Sequence, residues 1–305
     1  MILVTGGAGF IGSHTVEALI AAGERVRVLD DFSSGRRDNL PGSALLEIVE
    51  GDVRDPAAVQ RAMEGVTRVL HLAAQVSVVR SIEDPVTSAA VNVGGFLVVL
   101  DAARRAGIGR FVYASSAAVY GMPDGLPLDE SAPARPQSPY GLEKSVDDQY
   151  AALFAELYGM QCLGLRYFNV YGPRQDPASP YAGVIGRFID CMRAGRPLCI
   201  FGDGEQTRDF VYVSDAGKVN VRALASTATG VCNVGTGHSA SLLEVAKLLG
   251  EVSGRRLQID HGPARAGDVR HSATSTARLR EIMGDLQPVS LQDGVRALLR
   301  AEGVI

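Results

Sequence analysis

Tyr140 and Lys144 stand four residues apart in the segment YGLEK, which the sequence pattern places on a helix. Residues at this spacing share one face of a helix, so the two side chains lie within reach of each other or of a common ligand. A tyrosine hydroxyl is a poor base because its ordinary pKa is about 10. A neighbouring ammonium stabilises the tyrosinate and lowers that pKa, which suits general acid/base catalysis. The alternative interpretation is an ordinary surface pair.

Two serines, Ser115 and Ser116, end the predicted strand that precedes this helix. In a doubly wound sheet, the carboxyl ends of the strands form the edge where ligands bind. Ser116 is therefore placed to hydrogen-bond the same substrate hydroxyl that Tyr140 deprotonates. Capping of the strand end is the competing explanation for the serine pair.

A glycine-rich segment, TGGAGFIG at residues 5–12, follows the first predicted strand and opens the first predicted helix. Its backbone N–H groups and the helix N-terminus form a site for a pyrophosphate. The second predicted strand ends at Asp30, 18 residues beyond Gly12, where a carboxylate hydrogen-bonds an adenosine ribose. With Ser116, Tyr140 and Lys144 downstream, the pattern favours hydride chemistry on a hydroxyl group.

The carboxylates Asp30 and Asp31 also indicate which dinucleotide is bound. A carboxylate at this strand end repels the 2′-phosphate of NADP and accepts a hydrogen bond from the 2′-hydroxyl of NAD, so NAD is favoured. Arg36 and Arg37 follow closely and could serve a phosphate, but a solvated loop is the preferred interpretation for them.

The order of predicted elements indicates an α/β fold: a doubly wound parallel Rossmann sheet with helices on both faces. The predicted strands are Ile2–Val4, Arg25–Asp30, Leu46–Gly51, Arg68–Ala73, Arg110–Ser115 and Cys162–Phe168. The predicted helices between them are Gly12–Ala22, Pro56–Gly65, Pro85–Gly107 and Tyr140–Tyr158.

Residues 1–168 are thus predicted to form the dinucleotide-binding domain, and residues 169–305 mainly a smaller C-terminal α/β lobe that binds the substrate. In the lobe we expect helices near Gly183–Ala194 and at Leu242–Val252, and a strand at Leu198–Phe201. Strand-like segments at Phe210–Val213 and Val231–Val234 are expected to return to the large sheet.

The composition narrows the class of protein. The net charge of −4 without a basic run argues against nucleic acid or an anionic membrane as the partner. The four cysteines show neither CxxC pairs nor histidine companions, so no metal site or disulfide framework is expected. With no cationic leader and no uncharged apolar stretch of 18 residues, we expect a cytoplasmic protein. Only three of the 30 cations are lysines, and one of them is Lys144.

Several ordered motifs span nearly the whole chain: TGGAGFIG at 5–12, GDVRD at 51–55, HLAAQVSV at 71–78, SSAAVYG at 115–121, YGLEK at 140–144, YFNVYGPRQ at 167–175 and RDFVYVSD at 208–215. On these motifs the sequence resembles the extended short-chain dehydrogenase/reductase family. Within it, the sequence resembles the branch of NAD-dependent nucleotide-sugar epimerases typified by UDP-glucose 4-epimerase.

The resemblance implies a set of residues that hold NAD. They are Gly6, Gly9, Phe10, Ile11 and Gly12 at the pyrophosphate, Asp30 at the adenosine ribose, Asp52 and Val53 beside adenine, Leu72, Ala73 and Ala74 beneath the cofactor, Lys144 on the nicotinamide ribose, and Tyr167 near the ring. It also implies Tyr140 as the acid/base and Ser116 as its partner, with Ser115 as the alternative if the alignment is shifted by one position.

The resemblance further implies where a UDP-sugar binds. The implied residues are Asn169 near the diphosphate, Leu198, Cys199 and Phe201 around uracil, Arg208 and Arg265 clamping the diphosphate, and Asp268 on the uridine ribose. Arginine forks suit a dianionic diphosphate because they are planar and always charged. Ser272 takes the position beside the 2-substituent of the sugar, and its small side chain implies room for UDP-GlcNAc and UDP-GalNAc as well as UDP-Glc and UDP-Gal.

The implied reaction is C4 epimerisation through a transient 4-keto sugar. Ala117 and Ala118 stand where the 4,6-dehydratases of this family carry an Asp-Glu pair, so dehydration is not expected. Two alternatives stay open: a UDP-glucuronate 4-epimerase or decarboxylase, with Arg187 or Arg80 facing the carboxylate, and a catalytically silent NAD-binding regulator. The resemblance also implies a homodimer in which the helices at 85–107 and 140–158 form a four-helix interface.

Overall fold

The computed structural model describes residues 1–175, 183–264 and 269–305. The strands are β1 (Ile2–Thr5), β2 (Val26–Asp30), β3 (Leu46–Glu50), β4 (Arg68–His71), β5 (Arg110–Ser116), β6 (Gln161–Tyr167), β7 (Asn169–Tyr171), β8 (Leu198–Phe201), β9 (Thr207–Tyr212), β10 (Gly230–Val234), β11 (Ser239–Ser241) and β12 (Ile259–Gly262). The α-helices are α1 (Phe10–Ala21), α2 (Pro56–Met63), α3 (Val78–Glu83), α4 (Pro85–Ala89), α5 (Phe96–Arg105), α6 (Pro139–Tyr158), α7 (Val184–Arg193), α8 (Val213–Ala225), α9 (Leu242–Ser253), α10 (Ala277–Met283) and α11 (Leu291–Ala301).

Seven parallel strands form the large sheet in the order β10-β6-β5-β4-β1-β2-β3. The strand order reverses between β1 and β4, because the chain goes from β1 outward to β3 and then returns to the other side of β1. Ligands of open α/β sheets bind outside the carboxyl ends of the strands at such a reversal. The predicted doubly wound Rossmann sheet is confirmed.

The strands are apolar because helices cover both faces of the sheet. Ile2, Leu3 and Val4 of β1 are fully buried, and their side chains alternate between two cores. One core lies against α1 and α8, and the other lies against α2, α5 and α6. A sheet buried on both sides needs continuous apolar runs, which is why the sequence pattern identified it.

The smaller lobe contains a three-stranded sheet, β11-β9-β7, and a two-stranded parallel sheet, β12-β8. Its own core comes from α7, β8, α9 and α11. The prediction that the segment at 210–213 returns to the large sheet is wrong, since β9 pairs with β7 and β11. The other predicted segment does join the large sheet, as β10 beside β6. The helices α8 and α10 contribute to the core on one face of that sheet.

The helix predicted at Pro85–Gly107 is interrupted. Between α4 and α5 the backbone takes a π-helical turn over Ala90–Gly95, and a separate short helix, α3, precedes α4. Gly95 packs where a Cβ would lie 2.7 Å from Val53 Cγ2, so the helix meets the loop after β3 very closely. Within the described part of the chain, one helical stretch, Pro85–Arg105, is long and apolar enough to span a membrane. Its second half, α5, packs into the core through Phe96 and Val99.

Candidate active site

The glycine loop between β1 and α1 is shaped by close backbone contacts. Gly6 has a φ of +67°, in the left-handed region that favours glycine, and a Cβ there would lie 2.7 Å from the backbone nitrogen of Ala73. A Cβ on Gly12 would overlap the Gly6 carbonyl oxygen and lie 2.8 Å from Gly7 Cα. The loop therefore presents bare backbone at the N-terminus of α1, as a pyrophosphate site requires.

The first turn of α1 continues this cradle. Gly9 is the residue before the helix, and none of the described side chains caps the N–H groups there. Phe10 and Ile11 form the first turn and are half-buried. Uncapped helical N–H groups favour an anionic ligand, and we infer that this end of α1 faces the cofactor's phosphates.

Asp30 ends β2 next to the glycine loop. Its carboxylate accepts hydrogen bonds from the backbone N–H of Ala8 at 2.9 Å and of Phe32 at 2.9 Å, and burial raises the pKa of this carboxyl. The side chain is thus fixed at the loop by two of its acceptor positions. Arg37 forms an ion pair with Glu50 at the surface, which agrees with a solvated loop.

The loop after β3 carries Asp52 and Val53, the two residues predicted to lie beside adenine. Asp52 accepts a hydrogen bond from the backbone N–H of Arg54 at 2.8 Å, and the Arg54 guanidinium holds the pKa of Asp52 below its usual range. Val53 is buried under the π-helical turn. The structure therefore brings the predicted adenine-side pair to the same sheet edge as Asp30.

The segment Leu72–Ala74 runs beside the glycine loop. The backbone N–H of Leu72 donates to the Thr5 carbonyl at 3.1 Å, and that of Ala73 donates to Thr5 Oγ1 at 3.2 Å. Ala74 follows, half-buried. This segment and the glycine loop thus form one continuous surface across the reversal of strand order.

Tyr167 ends β6, buried, with its hydroxyl donating to Asn220 Oδ1 on α8. Asn220 in turn donates to Thr15 Oγ1 of α1 at 2.9 Å, and burial raises the pKa of Tyr167. The hydroxyl of Tyr167 is therefore committed to the fold. A contact with the nicotinamide, as predicted, would use its ring or its backbone.

Helix α6 begins against the turn that follows β5. Ser138 caps the helix by accepting the backbone N–H of Gly141 at 3.1 Å. A Cβ on Gly141 would lie 2.6 Å from the carbonyl oxygen of Ala118, so only glycine allows the helix to approach this closely. The first turn of α6, which carries Tyr140, is thereby held beside the end of β5, which carries Ser116.

The two serines of β5 face opposite sides of the sheet. Ser115 is buried on the side of Tyr113 and Asp148, whereas Ser116 is half-buried at the open edge and accepts the backbone N–H of Ala118 at 3.1 Å. The hydroxyl of Ser116 is the more accessible of the two. This arrangement favours Ser116 over Ser115 as the partner of Tyr140.

Tyr140 and Lys144 differ in exposure. Tyr140 is half-buried, and its backbone N–H donates to Ser81 Oγ at 3.1 Å. Lys144 is 2% exposed, and its Nζ lies 3.1 Å from Asp147 Oδ2. Burial alone would lower the pKa of Lys144, but Asp147, Tyr140 and Asp148 together outweigh it and the pKa is raised. A charged ammonium is therefore held beside Tyr140.

Buried polar residues that the sequence analysis missed brace this helix. Glu143 accepts hydrogen bonds from Ser88 Oγ at 2.9 Å and from Asn92 Nδ2 at 2.6 Å. Asn92 also bonds both the N–H and the carbonyl of Gln75, at 2.8 and 2.9 Å. One hydrogen-bond network thus joins Gln75, in the loop after β4, to the π-helical turn and to α6. The sequence offers one hint of this network, namely that two acidic residues, Glu143 and Asp147, lie close to Lys144.

The predicted substrate residues lie on the lobe side. Asn169 Nδ2 donates to the Asp209 carbonyl at 3.2 Å, and Arg208 is half-buried on β9. On β8, Leu198 packs into the lobe core, Cys199 is exposed and Phe201 is half-buried. Because the side chain of Leu198 is buried, this residue could contact a ligand only through its backbone. The predicted residues Arg265 and Asp268 lie outside the described residues.

Ser272 lies on the segment that passes between the two units. Its backbone N–H donates to the Thr207 carbonyl of β9 at 3.2 Å, and its carbonyl accepts Ser239 Oγ at 2.6 Å. Further along, Leu128, in the loop before α6, donates its backbone N–H to the Ala273 carbonyl at 2.8 Å. Ser272 is 8% exposed and stands between the lobe and the loop that leads to Tyr140.

Comparison with known proteins agrees with this geometry. The sequence profile of the NAD dependent epimerase/dehydratase family matches residues 2–235. A UDP-glucose 4-epimerase from Mycolicibacterium smegmatis is 41% identical over 299 residues, covering 96% of this chain and 95% of the relative.

Two solved structures are similar over nearly the whole chain. The UDP-N-acetylglucosamine 4-epimerase from Methanobrevibacter ruminantium M1, in complex with UDP-N-acetylmuramic acid, is 36% identical with a TM-score of 0.95, over 99% of this chain and 97% of that one. The UDP-glucose 4-epimerase from Thermus thermophilus, in complex with NAD, is 38% identical with a TM-score of 0.91, over 100% and 99% of the two chains.

The glycine loop, the buried carboxylate at the end of β2 and the half-buried tyrosine beside a buried lysine fit NAD. The predicted cofactor, fold and epimerase class of enzyme are confirmed by the family match and by these relatives. The chain belongs to the NAD-dependent epimerase/dehydratase family, within the extended short-chain dehydrogenases/reductases.

Proposed function

We propose that this enzyme interconverts the C4 epimers of a UDP-hexose, and that it accepts N-acetylated hexoses as well as UDP-glucose and UDP-galactose. The observation that carries the proposal is the junction of α6 with β5, which holds Tyr140 and Lys144 beside Ser116 at the edge next to the glycine loop. The names of the similar enzymes support the same reaction. Ala117 and Ala118 supply no acid or base for dehydration.

In the proposed mechanism, Tyr140 takes the proton of the 4-hydroxyl and later returns it. Ser116 hydrogen-bonds the same oxygen and orients it, and Lys144 keeps positive charge beside the phenol so that the tyrosinate is stabilised. When bound by the glycine loop and Asp30, NAD would accept a hydride from the sugar and return it. The 4-keto sugar must be able to turn so that either face of C4 can receive the hydride. We therefore expect the enzyme to bind mainly the nucleotide part, with Arg208 and Arg265 at the diphosphate, and to hold the sugar loosely.

A panel of UDP-sugars tests the proposal. The purified enzyme, with and without added NAD, is incubated with UDP-Glc, UDP-GlcNAc and UDP-glucuronate, and the products are identified by proton NMR. We expect the C4 isomers of the first two. A UDP-pentose with CO2 would instead indicate a decarboxylase, and isomerisation of UDP-glucuronate alone would indicate a uronate epimerase. No conversion by NAD-loaded protein would indicate a regulator.

The two arginines considered for the uronate alternative lie on different helices. Arg80 lies exposed on α3, and Arg187 lies half-buried on α7. The two helices belong to different units of the fold, with α3 packed against α6 and α7 in the lobe core. The UDP-hexose proposal requires neither residue.

Ser272→Tyr is expected to remove activity on N-acetylated sugars selectively. A tyrosine side chain would fill the space that we assign to the 2-substituent, so kcat/KM for UDP-GlcNAc should fall about 10-fold or more relative to UDP-Glc. Ser272→Ala is the matched control and should keep the wild-type ratio. Equal activity ratios in the tyrosine variant and the wild type would refute this role of Ser272.

We also propose a homodimer built on α3, α4 and α6. Large apolar side chains are exposed on these adjacent helices: Val79, Ile82, Val86, Leu153 and Leu157. An exposed apolar surface of this kind marks an interaction site. We expect light scattering to give twice the 32.2 kDa chain mass.

The variant Leu157→Glu tests this interface, because it places a charge among the exposed apolar side chains and should shift the protein to monomer. Ile48→Glu is the control, since Ile48 is also an exposed apolar residue but lies on β3 at the far edge of the sheet. A monomeric wild type, or dissociation by both variants alike, would contradict the proposed interface.

A further inference from the structure

Asp147 is a fully buried carboxylate one helical turn beyond Lys144. Its Oδ2 lies 3.1 Å from Lys144 Nζ, and both side chains are almost completely removed from solvent, at 0% and 2% exposure. Its other oxygen, Oδ1, has no hydrogen-bond partner among the residues that the structure describes. A buried charge is costly unless it is paired, so the position requires a specific partner.

The charged and titratable groups around Asp147 come from three elements. They are Glu143, Lys144 and Asp148 on α6, Tyr113 on β5, and His71 at the end of β4, which interacts with Lys144. Burial raises the pKa of Asp147 to about 7, and the Lys144 ammonium opposes that rise. Burial and Lys144 lower the pKa of His71 to about 3, so this imidazole is neutral.

The other two carboxylates of this helix face are occupied elsewhere. Asp148 pairs with Arg166 at 3.0 Å and accepts the Tyr113 hydroxyl at 3.0 Å. Glu143 accepts two hydrogen bonds from the uncharged groups of Ser88 and Asn92. Asp147 is therefore the carboxylate in direct contact with Lys144, and it raises the pKa of Lys144 more than Asp148 does.

We propose that Asp147 is a positioning residue that anchors the Lys144 ammonium from within the core and thereby sets the pH at which Tyr140 exchanges its proton. This inference rests on the proposed roles of Tyr140 and Lys144. Asp147 is buried in the core and is not proposed to contact substrate. It acts through Lys144, whose ammonium it fixes in place and whose charge it partly cancels.

The sign of the effect follows from electrostatics. Removing a negative charge from the cluster makes proton loss easier for the neighbouring groups, so the pKa of Lys144, which Asp147 raises, falls. Asp147 carries its charge above its pKa of about 7, so above that pH Asp147→Asn should move the profile of kcat against pH to lower pH, by about one unit. A purely structural role would lower kcat by the same factor at every pH.

Glu143→Gln is the matched control, because it removes a buried carboxylate from the same helix without touching the Lys144 contact. We expect it to displace the profile by less than half as much. Asp147→Val is a second neutral replacement and should give the same displacement as Asp147→Asn, which keeps the test valid if the asparagine variant folds poorly.

A spectroscopic titration provides a readout independent of turnover. The chain has nine tyrosines and no tryptophan, so the tyrosinate band in the near ultraviolet is free of indole absorbance. The difference between each protein and its Tyr140→Phe counterpart isolates Tyr140. The midpoint of that difference should lie at lower pH in the Asp147→Asn variant than in the wild type.

An unmoved midpoint and a parallel loss of kcat at every pH would overturn the role of Asp147. Those results leave the proposed function intact if the Tyr140→Phe enzyme is inactive in the same buffers. A fully active Tyr140→Phe enzyme would instead refute the proposed function itself, whatever Asp147 does.

Discussion

Replacing Tyr140 by phenylalanine is expected to lower kcat by about 10² or more, because it removes the group that takes and returns the substrate proton. The substitution deletes one oxygen from a half-buried side chain, and the backbone bond from Tyr140 to Ser81 stays in place. Binding of NAD and of the UDP-sugar should therefore change little. Steady-state kinetics and a UDP-sugar binding isotherm measure the two effects separately.

Tyr150→Phe provides the control on the same helix, since Tyr150 is also half-buried but packs toward the core around α5. It should retain nearly wild-type kcat. Near-normal turnover by Tyr140→Phe would show that another group transfers the proton, and the site would have to be reassigned.

Replacing Gly12 by alanine is expected to abolish NAD binding and to destabilise the fold. The new methyl group would overlap the carbonyl oxygen of Gly6 and crowd Gly7 Cα, and both neighbours are backbone atoms that cannot turn aside. Overpacking of this kind costs about 3 kcal/mol. Denaturant unfolding gives the loss of stability, and the ultraviolet absorbance of retained NAD relative to protein gives the loss of cofactor.

Two other glycines calibrate that result. Gly9→Ala, whose Cβ would lie 3.2 Å from the Gly6 carbonyl oxygen, should cost less, and Gly42→Ala, which meets no described atom within 4 Å, should be close to neutral. If Gly12→Ala bound NAD as the wild type does, the loop would not be the tight backbone cradle described above.

The sheet was predictable because its strands are buried on both faces. Apolar runs such as Ile2–Val4 indicate strands without tertiary information, and their alternation with helical patterns determines the parallel order. The segment at 210–213 was assigned to the wrong sheet, because an apolar run does not specify its partner. The π-helical turn at 90–95 was not predictable either, since it depends on Asn92 and Gly95 packing against distant loops.

The site was predictable where chemistry restricts the residue type. Tyr140 and Lys144 follow from helical spacing, and Ser116 from its place at a strand end. The supporting carboxylates were missed because burial decides their role: in sequence, Glu143 and Asp147 resemble ordinary surface charges of a helix. For Leu198, strand alternation turns the side chain into the lobe core, which the motif alone did not reveal.

The fate of the hydrogen at C4 shows whether the epimers are interconverted through a 4-keto sugar within one site. UDP-glucose carrying deuterium at C4 is converted in ordinary water, and the product is examined by NMR and mass spectrometry. We predict UDP-galactose that keeps the deuterium at C4, because the hydrogen is removed and returned within one site while Tyr140 handles only the hydroxyl proton. Loss of the deuterium to water, or unlabelled product, would contradict the proposed mechanism.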